Sequence, residues 1–230
     1  MLEFVARKML QQDGADVSAH EYLGIALSMQ GDTDAGFRWH ERAIALQPEN
    51  PVVWHDYAAT MVNVAHGLEQ APDGAPLLDR AEEALYRALA ADETYWHAYR
   101  SLVAIYLGRV RGGFCPPDDP GAMADRADGL AARYFDLYPA LGLPVKLTLV
   151  RRKGDQVMRR ETVVELLREE GQVIARSEEL RIDASGDSLW EAHDEFLQIF
   201  DLLYDELVNT EEELAPGGKA YADLLRMSAG

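Results

Sequence analysis

Trp54-His55-Asp56-Tyr57 and, 42 residues later, Trp96-His97-Ala98-Tyr99 are near copies of one another. Each opens a run with helical periodicity, and each follows a run dense in Ala, Leu, Glu and Arg. A tetrad that returns at the head of successive helices marks an internal repeat, and a repeat fixes the fold class before local detail does. Working outward, residues 2–12 carry Phe4, Val5, Met9 and Leu10 and predict a short helix stopped before Asp13-Gly14. A second helix is predicted from Val17-Ser18 to Met29, closing at Gln30-Gly31. A third runs from Thr33 to Leu46 and ends at Gln47-Pro48, where proline cannot continue it.

The pair of helices over 17–46 resembles a tetratricopeptide repeat, a helix-turn-helix unit of about 34 residues. The match rests on Leu23-Gly24 in the first helix, Ala43 in the second and Pro48 at the end. Gly36 replaces the alanine the family prefers; with Gly24 it lets two backbones approach, at a cost of about 1 kcal/mol for a glycine inside a helix. His20 stands where the family prefers Trp, and His40 where it prefers a large aromatic. The second unit begins at Pro51. Trp54, Tyr57, Ala58 and Met61 take the packing positions of its first helix, and Ala81, Leu85 and Ala88 those of its second, about 75–91. A loop over 66–74, absent from the consensus, accounts for the 42-residue spacing. The third unit has Trp96, Tyr99 and Val103 on a helix reaching about Val110, with Arg100 at the position that matches Gly24. A Gly/Pro-rich loop follows, Arg111 to Pro117, then a helix over about 121–138 and the terminal Pro139. The resemblance covers residues 17–140.

It implies a curved array whose first helices line a concave groove for an extended peptide or a partner helix. By register, the groove-facing positions are Glu21, Ile25 and Ser28, then His55, Ala59 and Asn63, then His97, Ser101 and Ala104. Glu21, His55, Asn63, His97 and Ser101 are the polar candidates for partner contact. The competing reading makes His55 and His97 mere neighbours of structural aromatics. A peptide-carboxylate clamp of Lys and Asn, as some relatives of the family carry, finds no lysine at these positions.

From Leu141-Gly142-Leu143-Pro144 the pattern changes. Val145 to Arg151 alternates apolar and polar residues and predicts a half-buried strand. Residues 156–170, with Val157, Val163, Val164, Leu166 and Leu167, read as a helix closed by Gly171. Gln172 to Arg176 and Leu180 to Ile182 read as strand, either one bent strand or a hairpin with the first. A strong helix is predicted from Ser188 to about Val208, with Leu189, His193, Phe196, Phe200, Leu203 and Leu207 in one stripe. The region 183–213 holds eleven acids and no Lys or Arg. A short helix over about 219–227 closes the chain, so that 141–230 form a small α/β unit capping the array.

Composition narrows the function classes. The net charge is −18, from 22 Lys+Arg against 40 Asp+Glu. Such a field repels nucleic-acid phosphates and anionic membranes, so neither nucleic acid nor membrane is expected as partner. One cysteine, Cys115, allows no internal disulfide and no multi-thiolate metal site. The N-terminus lacks a signal-peptide pattern and no stretch approaches a membrane span, which leads us to expect a cytoplasmic protein. Gly186-Asp187-Ser188-Leu189 resembles the nucleophile motif of the GDSL hydrolases, but their downstream Asp-x-x-His is missing. Ser188 with Glu191 reads instead as a capping box. The six histidines form no metal-ligand pair at helical spacing, and no glycine-rich phosphate loop follows a strand, so no metal and no cofactor is expected. The acidic run reads as a solvated helix face rather than a catalytic carboxylate pair. Arg151, Arg152, Lys153, Arg159 and Arg160 form the densest basic cluster, open to an acidic partner, a phosphate group or the chain's own 183–213 segment. An intramolecular or subunit role is expected, because eleven acids lie within one domain's reach.

The fold expected is α+β and mainly α: a tetratricopeptide-like array of antiparallel helix pairs over 1–140, then a small α/β unit over 141–230. The function expected is a non-enzymatic protein–protein interaction module whose groove holds a peptide or helix of a partner, with a basic partner favoured by the acidic surface. The alternative is an acidic regulator, an inhibitor or immunity-type protein, that blocks a basic partner through its C-terminal helix. The sequence does not specify the oligomeric state.

Overall fold

The computed structural model describes residues 1–67, 71–111, 119–153, 156–209, 214–226 and 228–229. The loop segment 112–117 with Cys115, and Glu211, Glu212 and Glu213, lie outside the described residues. Among those described, the elements are α1 (Leu2–Gln12), α2 (Val17–Met29), α3 (Thr33–Leu46), α4 (Pro51–Gly67), α5 (Ala71–Ala91), α6 (Trp96–Arg111) and α7 (Pro120–Leu137). Then come β1 (Leu143–Lys153), β2 (Gln156–Glu169), β3 (Gln172–Ser177), β4 (Ile182–Gly186), α8 (Leu189–Leu207), α9 (Pro216–Leu225) and β5 (Ser228–Ala229). The chain divides into two compact units, Met1–Ile105 and Tyr106–Gly230, with the division inside α6.

In the first unit, side-chain caps start the helices where the sequence offers aspartates. Asp16 accepts from the Ala19 N–H at 3.0 Å and Asp32 from the Ala35 N–H at 3.2 Å, each satisfying a donor the helix cannot. Consecutive helices pack as pairs, α2 on α3 and α4 on α5, and α4 also meets α2 and α3. The α2–α3 seam is built on missing side chains. A Cβ on Gly24 would overlap the ring of His40, and one on Gly36 would overlap Ser28 Oγ and lie 2.7 Å from the Gly24 carbonyl oxygen. His40 fills the notch, fully buried, with Nε2 2.9 Å from Thr60 Oγ1 and its ring stacked on Tyr57 at 5.7 Å. A histidine therefore does here the work of a large aromatic. Ser28, expected in the groove, turns instead into this seam, filling space that Gly36 leaves.

Tyr57 and Tyr99 are core residues, 7 % and 3 % exposed. Trp54 and Trp96 are only half-buried, which corrects the expectation that all four are core. Trp54 lies back over the preceding turn and donates its indole N–H to the Pro48 carbonyl at 2.8 Å; its polar handle and its ring are both used at the rim. The insertion expected as a loop over 66–74 is largely helical. The helix α4 continues to Gly67 and α5 already begins at Ala71, with Pro76 early enough in α5 to cost one helical hydrogen bond at its first turns.

In the second unit, β1–β2–β3–β4 form an antiparallel meander, with β5 pairing β2. The register sets Leu143, Val145 and Leu147 opposite Leu166, Val164 and Thr162. These six are buried, and so are Ala175, Ser177, Ile182 and Ala184 further along the same face. Residues 156–169 are thus a strand, not the helix their Glu, Arg and Leu content suggests. Thr162, Val164 and Leu166 point inward while Val163 is 53 % exposed; pairing with β1 overrides the local preference. Glu170 and Gly171 both take positive φ, 51° and 88°, between the paired Glu169 and Gln172, a two-residue turn matched to the twist of a hairpin. The segments 172–177 and 182–186 are two strands paired with each other, not one bent strand or partners of β1.

Helix α8 packs on β3 and β4 through Leu189, Ala192, His193, Phe196, Phe200 and Tyr204. Its N-terminus is capped as expected: the Ser188 hydroxyl accepts from the Glu191 N–H at 3.1 Å. The returning bond to Glu191 Oε2 comes from the Asp187 N–H at 2.9 Å, one residue earlier than the standard box. Arg151 reaches Asp205 at 2.8 Å and Asp201 at 3.5 Å and lies 4.5 Å from the Tyr204 ring centre. Arg160 pairs with Glu179 at 2.6 Å. The side chains of Arg152, Lys153 and Arg159 lie outside the described set.

Burial holds His40 neutral, pushing its pKa down to about 4. The unfolded chain takes that proton near pH 6.5, so His40's contribution is complete above 6.5 and is lost as pH falls toward 4. We expect wild type to lose up to ~1.4 kcal/mol per pH unit relative to His40→Gln across that window, read from denaturant unfolding. Gly24→Ala should cost on the order of 2 kcal/mol in the same assay, because ring displacement outweighs the better helix propensity. Arg151→Ala should cost about 1 kcal/mol, with the loss shrinking in high salt.

Candidate functional site

Three successive first helices bring polar side chains to one place in the first unit. Helix α4 supplies His55 and Asp56, and α6 supplies His97 and Ser101 with Tyr95 just ahead of it. His55 is the hub. Its Nε2 lies 3.2 Å from Ser101 Oγ and its Nδ1 3.3 Å from Asp56 Oδ1. With a carboxylate at Nδ1, the ring donates there and accepts the Ser101 hydroxyl proton at Nε2. The His55 ring meets Tyr95 edge-on at 5.7 Å and His97 at 5.7 Å. His97 stacks on Trp96 at 3.8 Å, and the Arg100 guanidinium lies 5.3 Å from the Trp96 ring centre. Arg100, at the repeat position of Gly24, is thus accommodated by stacking on an aromatic rather than by close backbone approach.

Helix α2 adds Glu21, which is 7 % exposed and whose Oε1 is buried with no hydrogen-bond partner. Burial first, then the negative charges of Asp56 and Asp16, push its pKa up to about 7. Burial, Asp56 and Glu21 likewise push the Tyr95 hydroxyl up to about 12, against the opposing pull of Arg100. His97 is held below its ordinary value by burial, by Arg100 and by His55. The two carboxylates, the tyrosine and the two histidines therefore share one electrostatic neighbourhood.

Of the five polar candidates, the structure gathers Glu21, His55, His97 and Ser101. Asn63 is solvent-exposed and stands about two turns further along α4. Ile25, Ala59 and Ala104 are half-buried. Sequence reading missed Asp56 and Tyr95. Asp56 sits inside the repeated tetrad, where the second copy has Ala98, and that difference was its only signal.

Ser101, His55 and Asp56 follow one another as a hydrogen-bonded relay, the order found in serine hydrolases. Acyl transfer also needs N–H donors aimed at a developing oxyanion. Ser101 lies inside α6, where main-chain N–H groups are consumed by the helix, so the backbone beside it offers none. Among the described residues no group of His, Cys, Asp and Glu is arranged to hold a metal ion, and no helix is long and apolar enough to cross a membrane. The second unit has a cleft of about 160 Å³ lined by Leu107, Leu147, Leu149, His193, Asp194 and Phe200. This is well below the roughly 300–1,000 Å³ of small-molecule sites.

Because Glu21 is protonated more readily folded than unfolded, its favourable contribution is complete below about pH 4.5 and is lost as pH rises through 7. Glu21→Gln should therefore stabilise the protein at pH 8, on the order of 2 kcal/mol, and change little at pH 4.5, as measured by thermal or denaturant unfolding at the two pH values.

Comparison with known protein families and with curated proteins finds no match. Among solved structures, a crystal structure of MamA aligns with a TM-score of 0.40 and 17 % identity, covering 60 % of this chain and 67 % of that one. The helix-pair architecture is accordingly read from this chain's own seams: Gly24 against His40, Gly36 against Ser28, and the paired packing of α2 with α3 and α4 with α5.

Proposed function

We propose that this protein is a cytoplasmic, non-enzymatic interaction module, and that the face built by α2, α4 and α6 holds an extended peptide or helix of a partner protein. The observation that carries the reading is the convergence of Glu21, His55, Asp56, Tyr95, His97 and Ser101 from three repeat positions onto one neighbourhood. Repeat arrays use such first-helix faces for recognition. Aromatic rings and histidines with defined hydrogen-bond partners give a peptide both contact area and orientation. The net charge of −18 favours a basic partner through steering.

The rival reading places recognition on the acidic C-terminal helix. Asp201 and Asp205 of that helix already face Arg151 of the same unit, which leaves less free charge for an outside partner. Binding that weakens steeply with salt and is lost on neutralising Glu211, Glu212 and Glu213 would favour that rival.

For the groove, His55→Ala combined with His97→Ala should weaken capture of the partner isolated from native extract by about tenfold or more. The circular dichroism spectrum and unfolding cooperativity should stay those of wild type. Undiminished capture by the double variant overturns the groove assignment.

A further inference from the structure

A packing role does not account for Glu21. Its Oε1 is buried without a partner, in a residue 7 % exposed, and both groups that act on its charge, Asp56 and Asp16, are themselves acids. A lone buried carboxylate beside like charges opposes folding. Arg100, the cation of this neighbourhood, acts on Tyr95 and His97 and is committed to the Trp96 ring; it is not among the groups acting on Glu21. Among the described residues, no positive charge is found to act on Glu21.

We infer that Glu21 and Asp56 form an anchor for one cationic side chain, lysine or arginine, carried by an extended basic segment of the partner protein, with the Tyr95 ring beside it. The inference rests on the groove reading and specifies the partner's chemistry at one position. A carboxylate turns easily about its last torsion, so Oε1 can swing to meet an entering cation. A hydrogen bond between charged groups is about twice as strong as a neutral one, and an aromatic face adds to it. The acid cluster then trades stability of the free protein for affinity in the complex, as binding sites commonly do.

The test uses the full chain and fluorescein-labelled decapeptides of one Gly/Ser/Leu background whose central residue is Lys, Arg, Gln or Glu, followed by fluorescence polarisation at pH 8. The Lys or the Arg peptide should bind about tenfold tighter than the Gln peptide, and the Glu peptide weakest. Glu21→Gln, and separately Asp56→Asn, should erase that preference, so that within each variant the Lys and Arg peptides bind no tighter than the Gln peptide. In wild type the preference should fade between pH 8 and 6 as Glu21 takes up its proton. Asp16 and Asp56 act on that proton, while His55, bonded to Asp56, together with Tyr95, His97 and Arg100, also faces the site. If the peptides bind and His55→Ala with His97→Ala weakens them, yet Lys, Arg and Gln are equivalent or Glu21→Gln changes nothing, the anchor is overturned and the groove stands. If no peptide binds, the groove reading falls with it. Spermine competing as well as the free Lys peptide would assign the site to small amines and overturn the partner side chain.

Discussion

The first unit depends on how closely α2 and α3 approach. Gly24 and Gly36 remove the atoms that would hold the two backbones apart, and the ring of His40 occupies the room that Gly24 leaves. Through its Nε2 and its stacking on Tyr57, His40 also ties that pair to α4. One buried imidazole thus couples the first helix pair to the second. The same ring can serve only while neutral, since burial disfavours its charged form. A Phe would fill the notch without pH sensitivity but would leave the Thr60 hydroxyl without that ring nitrogen.

With that seam fixed, the first helices present what the second helices bury. The side chains on α2, α4 and α6 then divide by direction. Tyr57 and Tyr99 go to the core, Trp54 and Trp96 to the rim, and Glu21, Asp56, His55 and His97 to a shared polar neighbourhood. His40 and Glu21 sit on neighbouring helices and titrate in overlapping windows with opposite effect. Acid removes the contribution of His40 and restores that of Glu21. The first is a structural histidine, and the second is a buried carboxyl group whose Oε1 has no hydrogen-bond partner.

The second unit solves a different problem. Its meander has one buried face, and α8 supplies the apolar layer for β3 and β4. Arg151 and Arg160 close charge within the unit rather than presenting it outward. The acidity of 183–213 is thereby partly used inside the unit, where Asp201 and Asp205 meet Arg151.

The ends of α2 and α3 were legible in the sequence because each is written by a local device. Asp16 and Asp32 cap the starts, Gly31 and Pro48 mark the stops, and the Trp-x-x-Tyr tetrads set the repeat. Ser188 and Glu191 announced α8 in the same way. Residues 156–169 were not legible, since their helix-favouring composition is overridden by pairing with β1, a contact no local pattern encodes. The helical continuation of α4 and α5 into the expected 66–74 loop was hidden for a similar reason, as helix length there is set by packing between the two. His55, His97 and Ser101 could be placed on one face by register alone. That Glu21 is buried and unpartnered, and that Asp56 and Tyr95 complete its surroundings, was decided only by the tertiary structure, because burial and the field of distant charges are properties of the packed chain.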